Sequence, residues 1–343
     1  MNLLSHLKQA IPGPVKSVLR RVIRRPSAPK YRVPQHLIGN HRKTDERGLA
    51  ELRKSIVNNY HVGWRSKESY SDDGYEKDLN AHLLDRLKSD RDVVIPWLDT
   101  LRPLNSLKIL EIGCGTGSST VALAEQGATV VGIDVDEGAL RVARDRCRVY
   151  GVTADIRVMN ATQLDREFQR GDFDLIIFFA CLEHMTLSER LVAVPQAWDI
   201  LPVGGMLGVI ETPNRLWFYD HHTSQLPFFQ WLPDELAFQY SRFSTRENFR
   251  EIYREPTAVS FEHFLRRGRG ASFHEFDLAI QPVGSLNIAS SLSAFLEQNG
   301  LDKPIAAHVA FMNFLQQQSP TVPAPFFERD LNLVIQKTVS NVQ

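Results

Sequence analysis

The chain has few cysteines, no long apolar run and no excess of either charge, and each shortage removes a class of protein. Its three cysteines, Cys114, Cys147 and Cys181, stand far apart without a CxxC pair. That excludes a disulfide framework or a thiolate zinc site as the organising element and suits a reducing compartment. The longest uninterrupted apolar run, residues 175–182, is far short of the roughly 20 residues that span a bilayer. The first residues lack the unbroken apolar stretch of a secretory signal, so the chain is expected in the cytoplasm. Forty basic and forty acidic side chains cancel, which leaves no global field to gather nucleic acid, and no nucleic-acid partner is expected. At 343 residues and 43% hydrophobic content, the chain can still bury a full core.

What is present falls into distinct stretches. Residues 1 to 35 are rich in Lys and Arg and punctuated by proline. Within them Val15, Val18, Leu19, Val22 and Ile23 follow helical spacing, while Lys16, Arg20, Arg21, Arg24 and Arg25 take the remaining face. Pro14 suits a first helical turn and Pro26 a stop. Residues 12–25 therefore predict a short basic amphipathic helix, fit either to lie peripherally on the anionic inner face of a membrane or to pack on the protein's own core. Residues 36–75 are polar and read as loop, and from Leu79 to Leu101 the pattern turns helical. Strands at 108–112, 129–133, 154–158, 173–179 and 206–211 then alternate with helices at 117–126, 137–150, 162–169 and 187–200. That alternation predicts an α/β fold, a parallel sheet with helices on both faces. Beyond Pro213 the texture changes: residues 217–276 hold fifteen of the 32 aromatics, enough to build a satellite core or to line a pocket over the sheet edge. A strand at 273–280, helices near 289–299 and 303–317, and a strand at 331–337 complete the reading.

The stretch "KILEIGCGTGSST" at 108–120 runs from a strand into Gly113, Gly115 and Gly117 and then into small hydroxyl residues. A glycine turn opening a helix lets a ligand approach the backbone and face the helix N-terminus. A P-loop would need the lysine of GxxxxGK[ST], which is missing. A GxGxxG dinucleotide fingerprint begun at Gly113 is broken by Ser118. What remains is a GxGxG turn preceded by Glu111.

These residues resemble the first motif of the class I S-adenosylmethionine-dependent methyltransferases, "LEIGCGTG". The resemblance covers roughly residues 106–214, because further elements arrive in register. "VVGIDVDEGAL" is similar to the second strand ending in an acidic residue, here Asp134, which could accept two hydrogen bonds from a ribose diol. "VMNATQL" is similar to the adenine-reading position, with Asn160 in place of the commoner Asp and Ala161 beside it. "FDLIIFFACLEHM" and "LPVGGMLGVIETPN" look like the fourth and fifth strands. The resemblance implies a mostly parallel, seven-stranded Rossmann-like sheet with helices on both faces, an N-terminal helical extension and an aromatic-rich cap insertion. It implies S-adenosyl-L-methionine as cofactor, with Glu111, Gly113, Gly115, Gly117, Asp134, Asn160 and Ala161 forming its site. The expected boundaries are an extension at 1–75, the binding core at 76–216, the cap at 217–272 and completing strands and helices at 273–343.

For an alcohol acceptor the transfer also needs a base at the C-terminal ends of strands four and five. His184 follows strand four, and His221 and His222 follow strand five, where Asp220 and Thr223 join them in a polar cluster. His222 is the favoured base. Side chains able to ligate a metal emerge on the same edge, but without a tight spacing no metal is expected. Arg266, Arg267 and Arg269 could hold a phosphate or carboxylate on the acceptor, or form a solvated basic loop. The reading is O-methylation of a small-molecule or saccharide hydroxyl, such as a glycan intermediate. The alternatives are methylation of a quinone-type lipid, which needs a long apolar channel, and a non-catalytic cofactor-binding scaffold.

Overall fold

A computed structural model describes residues 31–69, 72–254, 257–301 and 305–338. The basic helix expected over 12–25 lies outside the described residues. The strands are β1 Lys108–Ile112, β2 Thr129–Asp134, β3 Asp155–Val158, β4 Leu175–Phe179, β5 Met206–Pro213, β6 Asn287–Ser291 and β7 Asp330–Gln336. They form one sheet in the order β3-β2-β1-β4-β5-β7-β6. β1 to β5 run parallel, and β7 is antiparallel to both its neighbours. The order reverses between β1 and β4, and the crevice above the carboxyl ends at such a switch point is where open α/β sheets bind ligands.

The helices are α1 Gln35–Asn40, α2 Glu46–Ser55, α3 Asp72–Asn80, α4 Arg86–Ser89, α5 Ile95–Leu101, α6 Ser118–Ala124, α7 Glu137–Tyr150, α8 Leu164–Glu167, α9 Leu187–Ile200, α10 Asp234–Tyr240, α11 Glu247–Ile252, α12 Ala258–Leu265, α13 Phe273–Ala279, α14 Leu292–Gln298 and α15 Ala306–Gln318. Strand alternation divides the core in two. Leu175, Ile177 and Phe179 of β4 face a layer containing Leu52, Leu79, Trp97, Leu123 and Val142. Ile176 and Phe178 face the opposite layer, with Leu164, Ala193, Trp198 and Phe276. Both faces are covered, which is why the strand reads "LIIFF" without polar alternation. Among the described residues no helix is long and apolar enough to cross a membrane.

Three local expectations are corrected. Within the stretch read as loop, residues 36–40 and 46–60 are helical: Asp45 caps α2 by accepting from Gly48 N at 2.8 Å, and Leu52 and Ile56 pack one helical turn apart in the core. Residues 273–280 are helix α13 and not a strand. The spacing of Ser272 and Glu275 is a capping box, and the Ser272 N–H donates to Glu275 Oε1 at 3.3 Å. The helix expected from 289 starts at Leu292, capped by Ser291 Oγ, because residues 287–291 form edge strand β6.

The helical run α3 to α5 is continuous but contains two wide i→i+5 segments, Ala81–Asp85 and Asp90–Val94. Such segments recur at functional sites, and this one carries His82, Asp85 and Asp90 into the crevice. The cap at 217–272 closes around its own apolar cluster of Leu226, Phe229, Phe238, Phe249, Tyr253 and Phe264. Phe229, Phe238, Phe249, Tyr253 and Phe264 therefore make a satellite core, and among the described residues no Phe, Trp or Tyr of the cap lines the crevice.

Candidate active site

The three glycines of the turn take positive φ of 81°, 49° and 79° at 113, 115 and 117, but they do different things. A Cβ at Gly113 would collide with Cys181, and one at Gly117 would lie 2.9 Å from Ala143 Cα, so these two permit close packing. A Cβ at Gly115 would meet nothing nearer than Gly113 O at 3.9 Å. There the missing side chain leaves the backbone open to the crevice. Gly113 and Gly115 line a cavity of about 1200 Å³, together with Asp134, Asn160 and Ala161.

Glu111 and Gly117 lie behind that wall. Glu111 is fully buried, and its carboxylate accepts from Ser119 Oγ and, at 2.5 Å, from Thr120 Oγ1, which pins the start of α6 to β1. Burial raises its pKa.

Asp134 ends β2. Its Oδ2 accepts from Gly115 N at 3.0 Å and its Oδ1 from Asp136 N at 2.9 Å, which leaves a lone pair on each oxygen. Burial raises its pKa against these two hydrogen bonds. Asn160 departs from expectation, because its Oδ1 already accepts from Thr162 N and Thr162 Oγ1, both at 2.9 Å. The acceptor intended for an exocyclic amine is used locally, and the amide NH₂ is what Asn160 can offer a ligand. Ser118 Oγ is buried without a partner in the same wall.

All three candidate histidines reach the cavity. His221 Nε2 sits 3.1 Å from Asp330 Oδ1. Burial raises the Asp330 pKa, but the hydrogen bond and charge of His221, with Arg329, outweigh it and hold that pKa low. His184 Nδ1 lies 2.9 Å from the Arg266 carbonyl and must donate to it. His222 Nδ1 lies 3.0 Å from Thr223 Oγ1, whose own proton goes to the Gly268 carbonyl, so this nitrogen also donates. Each ring therefore presents a bare Nε2 when neutral. Sheltering from solvent lowers both pKa values, His222 to about 4.

Asp220 and Thr223 belong to the turn itself. The Asp220 carboxylate accepts from Thr223 N, Ser224 N and Ser224 Oγ. The arginine cluster is also occupied. Arg266 forks onto Glu189 at 2.6 and 2.9 Å, and Arg269, buried, is held by Asp234 and by the Phe229 and Leu232 carbonyls. Both guanidinium groups are thus engaged by protein partners, and the buried Arg269 is not part of a solvated loop. Among the described residues no three His, Cys, Asp or Glu side chains are placed to hold a metal ion.

Sequence reading missed much of the far wall. Tyr60, Arg65, His82, Asp85, Arg86 and Asp90 come from the N-terminal helical layer, Asp330 and Asn332 from β7, and Arg329 from the residue just before it. Arg65 reaches Asp136 at 2.6 Å and stacks over Tyr60 at 4.2 Å, strapping this layer across the end of β2. Glu211 sits at φ 58° in a β5 irregularity opposite β7, and Ala180 at φ 46° ends β4. Both strained residues border the cavity. A bulge beside a site re-aims a side chain, here a carboxylate. Glu183 is 1% exposed, and neither carboxylate oxygen has a hydrogen-bond partner.

A glycine turn at the switch point, an acidic β2 terminus and an antiparallel β7 converge on one family, and a family profile described as a methyltransferase domain matches residues 109–205. Residues 109–205 carry a methyltransferase domain of the class I S-adenosylmethionine-dependent type. A ubiquinone biosynthesis O-methyltransferase of Pseudomonas aeruginosa is 40% identical over 121 residues, 35% of this chain and 50% of that protein. One of Thiobacillus denitrificans is 38% identical over 97 residues, 28% of this chain and 41% of that protein. A methyltransferase of known structure from Methanosarcina mazei is 30% identical, covering 33% of this chain and 55% of that one, with a TM-score of 0.31. The chain spans about half the length of the curated relatives it matches. The matched domain ends before β5, so the cap and the final strands of this methyltransferase lie outside it.

Proposed function

We propose that this methyltransferase transfers a methyl group from S-adenosylmethionine to a hydroxyl of a polar small molecule or saccharide. One observation carries the acceptor class. The wall away from the glycine turn is built from Asp85, Arg86, Asp90, Glu183, Glu211 and Asp330 with three histidines, and apolar side chains there are few, Met185 and Leu292 among them. Such a wall fits a solute that brings its own hydroxyls, because each buried polar group needs a partner. A long lipid tail would leave these groups unpaired. The relatives' names support the second reading, a quinone-type acceptor, whose ring hydroxyl could enter the same wall.

The donor supplies a methyl group already activated by its sulfonium, so the protein's work is to position the acceptor, exclude water and take a proton. In this reading the ribose diol donates to Asp134, Gly115 leaves space for the nucleoside, and Asn160 and Ala161 border the base. His222, His221 and His184 face the acceptor. The unpartnered Ser118 hydroxyl and the open Gly115 backbone suit a ligand bearing both donors and acceptors. Residues 76–216 would form the binding core, 217–272 the cap, 273–343 the completing elements and 1–75 an extension. In that extension residues 12–25 could meet an anionic membrane when the acceptor is lipid-linked.

Incubating the purified protein with isotopically labelled donor and fractionated cell extract tests this reading. Label in water-soluble O-methyl ethers is expected. Label confined to the lipid fraction would favour the quinone reading, and bound donor without product the scaffold. Gly115→Leu is expected to raise the donor's dissociation constant by about tenfold or more, since its side chain would fill the space that the bare backbone leaves open to the cavity. Isothermal titration would show it.

A further inference from the structure

We propose that Glu183 takes the proton of the acceptor hydroxyl, with His184 and His222 bounding the gap that the hydroxyl enters. This rests on the O-methylation reading and names a residue that the sequence did not single out as the base.

Three atoms converge in the cavity wall. Glu183 Oε1 lies 3.8 Å from His184 Nε2 and 4.0 Å from His222 Nε2. Both distances are too long for a direct hydrogen bond. The Nδ1 partners fix both neutral rings with Nε2 as an acceptor, and an ionised carboxylate only accepts. When Glu183 is ionised, three acceptors face one another without a donor, a costly arrangement for buried groups that also favours the protonated carboxyl. It is relieved when a hydroxyl enters the gap and donates. Glu183 is the one nearly sealed from solvent, and the hydrogen bonds of its own backbone hold the turn in place: Gly268 N donates to its carbonyl at 3.0 Å.

The step balances simply. The hydroxyl proton passes to Glu183 as the oxygen forms its bond to the methyl carbon. The sulfur–carbon bond breaks, its electron pair stays on sulfur, and the cationic sulfonium becomes a neutral thioether. The proton then leaves by way of His184, which is half-exposed to the cavity.

The groups around Glu183 set its basicity. His184 lies on its own turn, His222 on the cap turn, Glu211 on β5, Asp330 on β7 and Arg190 on α9. Burial is the main influence and is opposed first by Glu183's own backbone N–H; Glu211 and Asp330 add to it, Arg190 opposes it, and the pKa rises to about 8. A base with a pKa near the working pH is well matched to such a transfer. The ionised fraction, and hence the rate, should grow with pH and level off near that value. His222, with a pKa of about 4, would give a flat profile over the same range.

The test follows labelled methyl incorporation into extract hydroxyls from about pH 6 to 9 for wild type, Glu183→Gln and His222→Asn, with donor affinity measured in each. The wild-type rate is expected to rise to a plateau. Glu183→Gln should lose about 10²- to 10⁴-fold and the rising limb while holding donor affinity, and His222→Asn should be slower with the limb intact. Infrared difference spectra provide a readout without acceptor: a protonated buried carboxyl that disappears near pH 8 in wild type and is missing from Glu183→Gln. Glu183→Gln within about threefold of wild type, or a limb that survives the substitution, overturns the proposal. So does the lack of that infrared band in wild type. A wild type that labels no hydroxyl at all overturns the O-methylation reading instead.

Discussion

Asp134→Ala is expected to weaken donor binding by about 10²- to 10⁴-fold. The estimate follows from two hydrogen bonds to a charged acceptor at about 1.5–3 kcal/mol each. The carboxylate also holds Gly115 N and Asp136 N, so its loss frees the very backbone the nucleoside would lie against. Asp134→Asn keeps one acceptor oxygen and the shape, and should fall between wild type and alanine. Acid has a parallel effect. Burial raises the Asp134 pKa above the ordinary Asp value, so the acceptor form is lost earlier on acidification than for a free aspartate, and donor affinity falls with it. Asp134→Asn has no such titration. Isothermal titration at several pH values, with thermal melts to confirm folding, checks both points. Alanine binding within about threefold of wild type would remove Asp134 from the donor site.

What could be read from the sequence was what is encoded locally. The GxGxG turn, the acidic end of β2 and the alternation that builds a parallel sheet each depend on residues within one or two turns of chain, and the structure places them at one crevice. Glu111 shows the limit: its position two residues before Gly113 was legible, but its two hydroxyl partners turn it into a brace behind the wall. Residues 273–280 carry Phe273, Phe276 and Ile280, residue types that favour strands, yet the Ser272–Glu275 cap and the burial of Phe276 against α9 side chains select a helix. For Glu183 nothing local distinguishes an orphaned carboxylate from a paired one. Its isolation depends on Glu211 and Asp330 arriving from strands 28 and 147 residues away along the chain, and on Arg190 turning instead to Glu275 at 2.9 Å.

The cap and the final strands explain why the acceptor is the harder question. The donor half lies within the matched domain, whereas His221, His222, Arg329 and Asp330 come from segments beyond it. Differences in those segments can change the acceptor without disturbing the glycine turn, because the cap's apolar cluster is separate from both sheet layers. Relatives that share the domain therefore inform the donor more than the acceptor.

Arg146→Met is expected to destabilise the protein by roughly 3–5 kcal/mol, and the reason lies in the irregular helical run. Arg146 is fully buried on the core face of α7, and its guanidinium donates to Thr116 O at 2.8 Å, to Leu83 O at 3.3 Å and to His82 O. The first carbonyl belongs to the glycine turn and the other two to the wide segment at Ala81–Asp85. One side chain thus ties the N-terminal layer to the glycine turn. Burial lowers its pKa to about 10, so it stays charged at neutral pH, and three hydrogen bonds offset its desolvation. Methionine fills similar space but leaves three buried carbonyls short of a donor, at about 1–3 kcal/mol each where no water reaches them. Arg146→Lys, with a single ammonium in place of the planar fork, should recover only part of the loss. Denaturant midpoints measure the stability change. Donor titration in the same variants should show weakened binding that tracks it, because Thr116 loses its anchor. An Arg146→Met protein as stable as wild type would mean that water replaces the guanidinium and that the two layers do not depend on it.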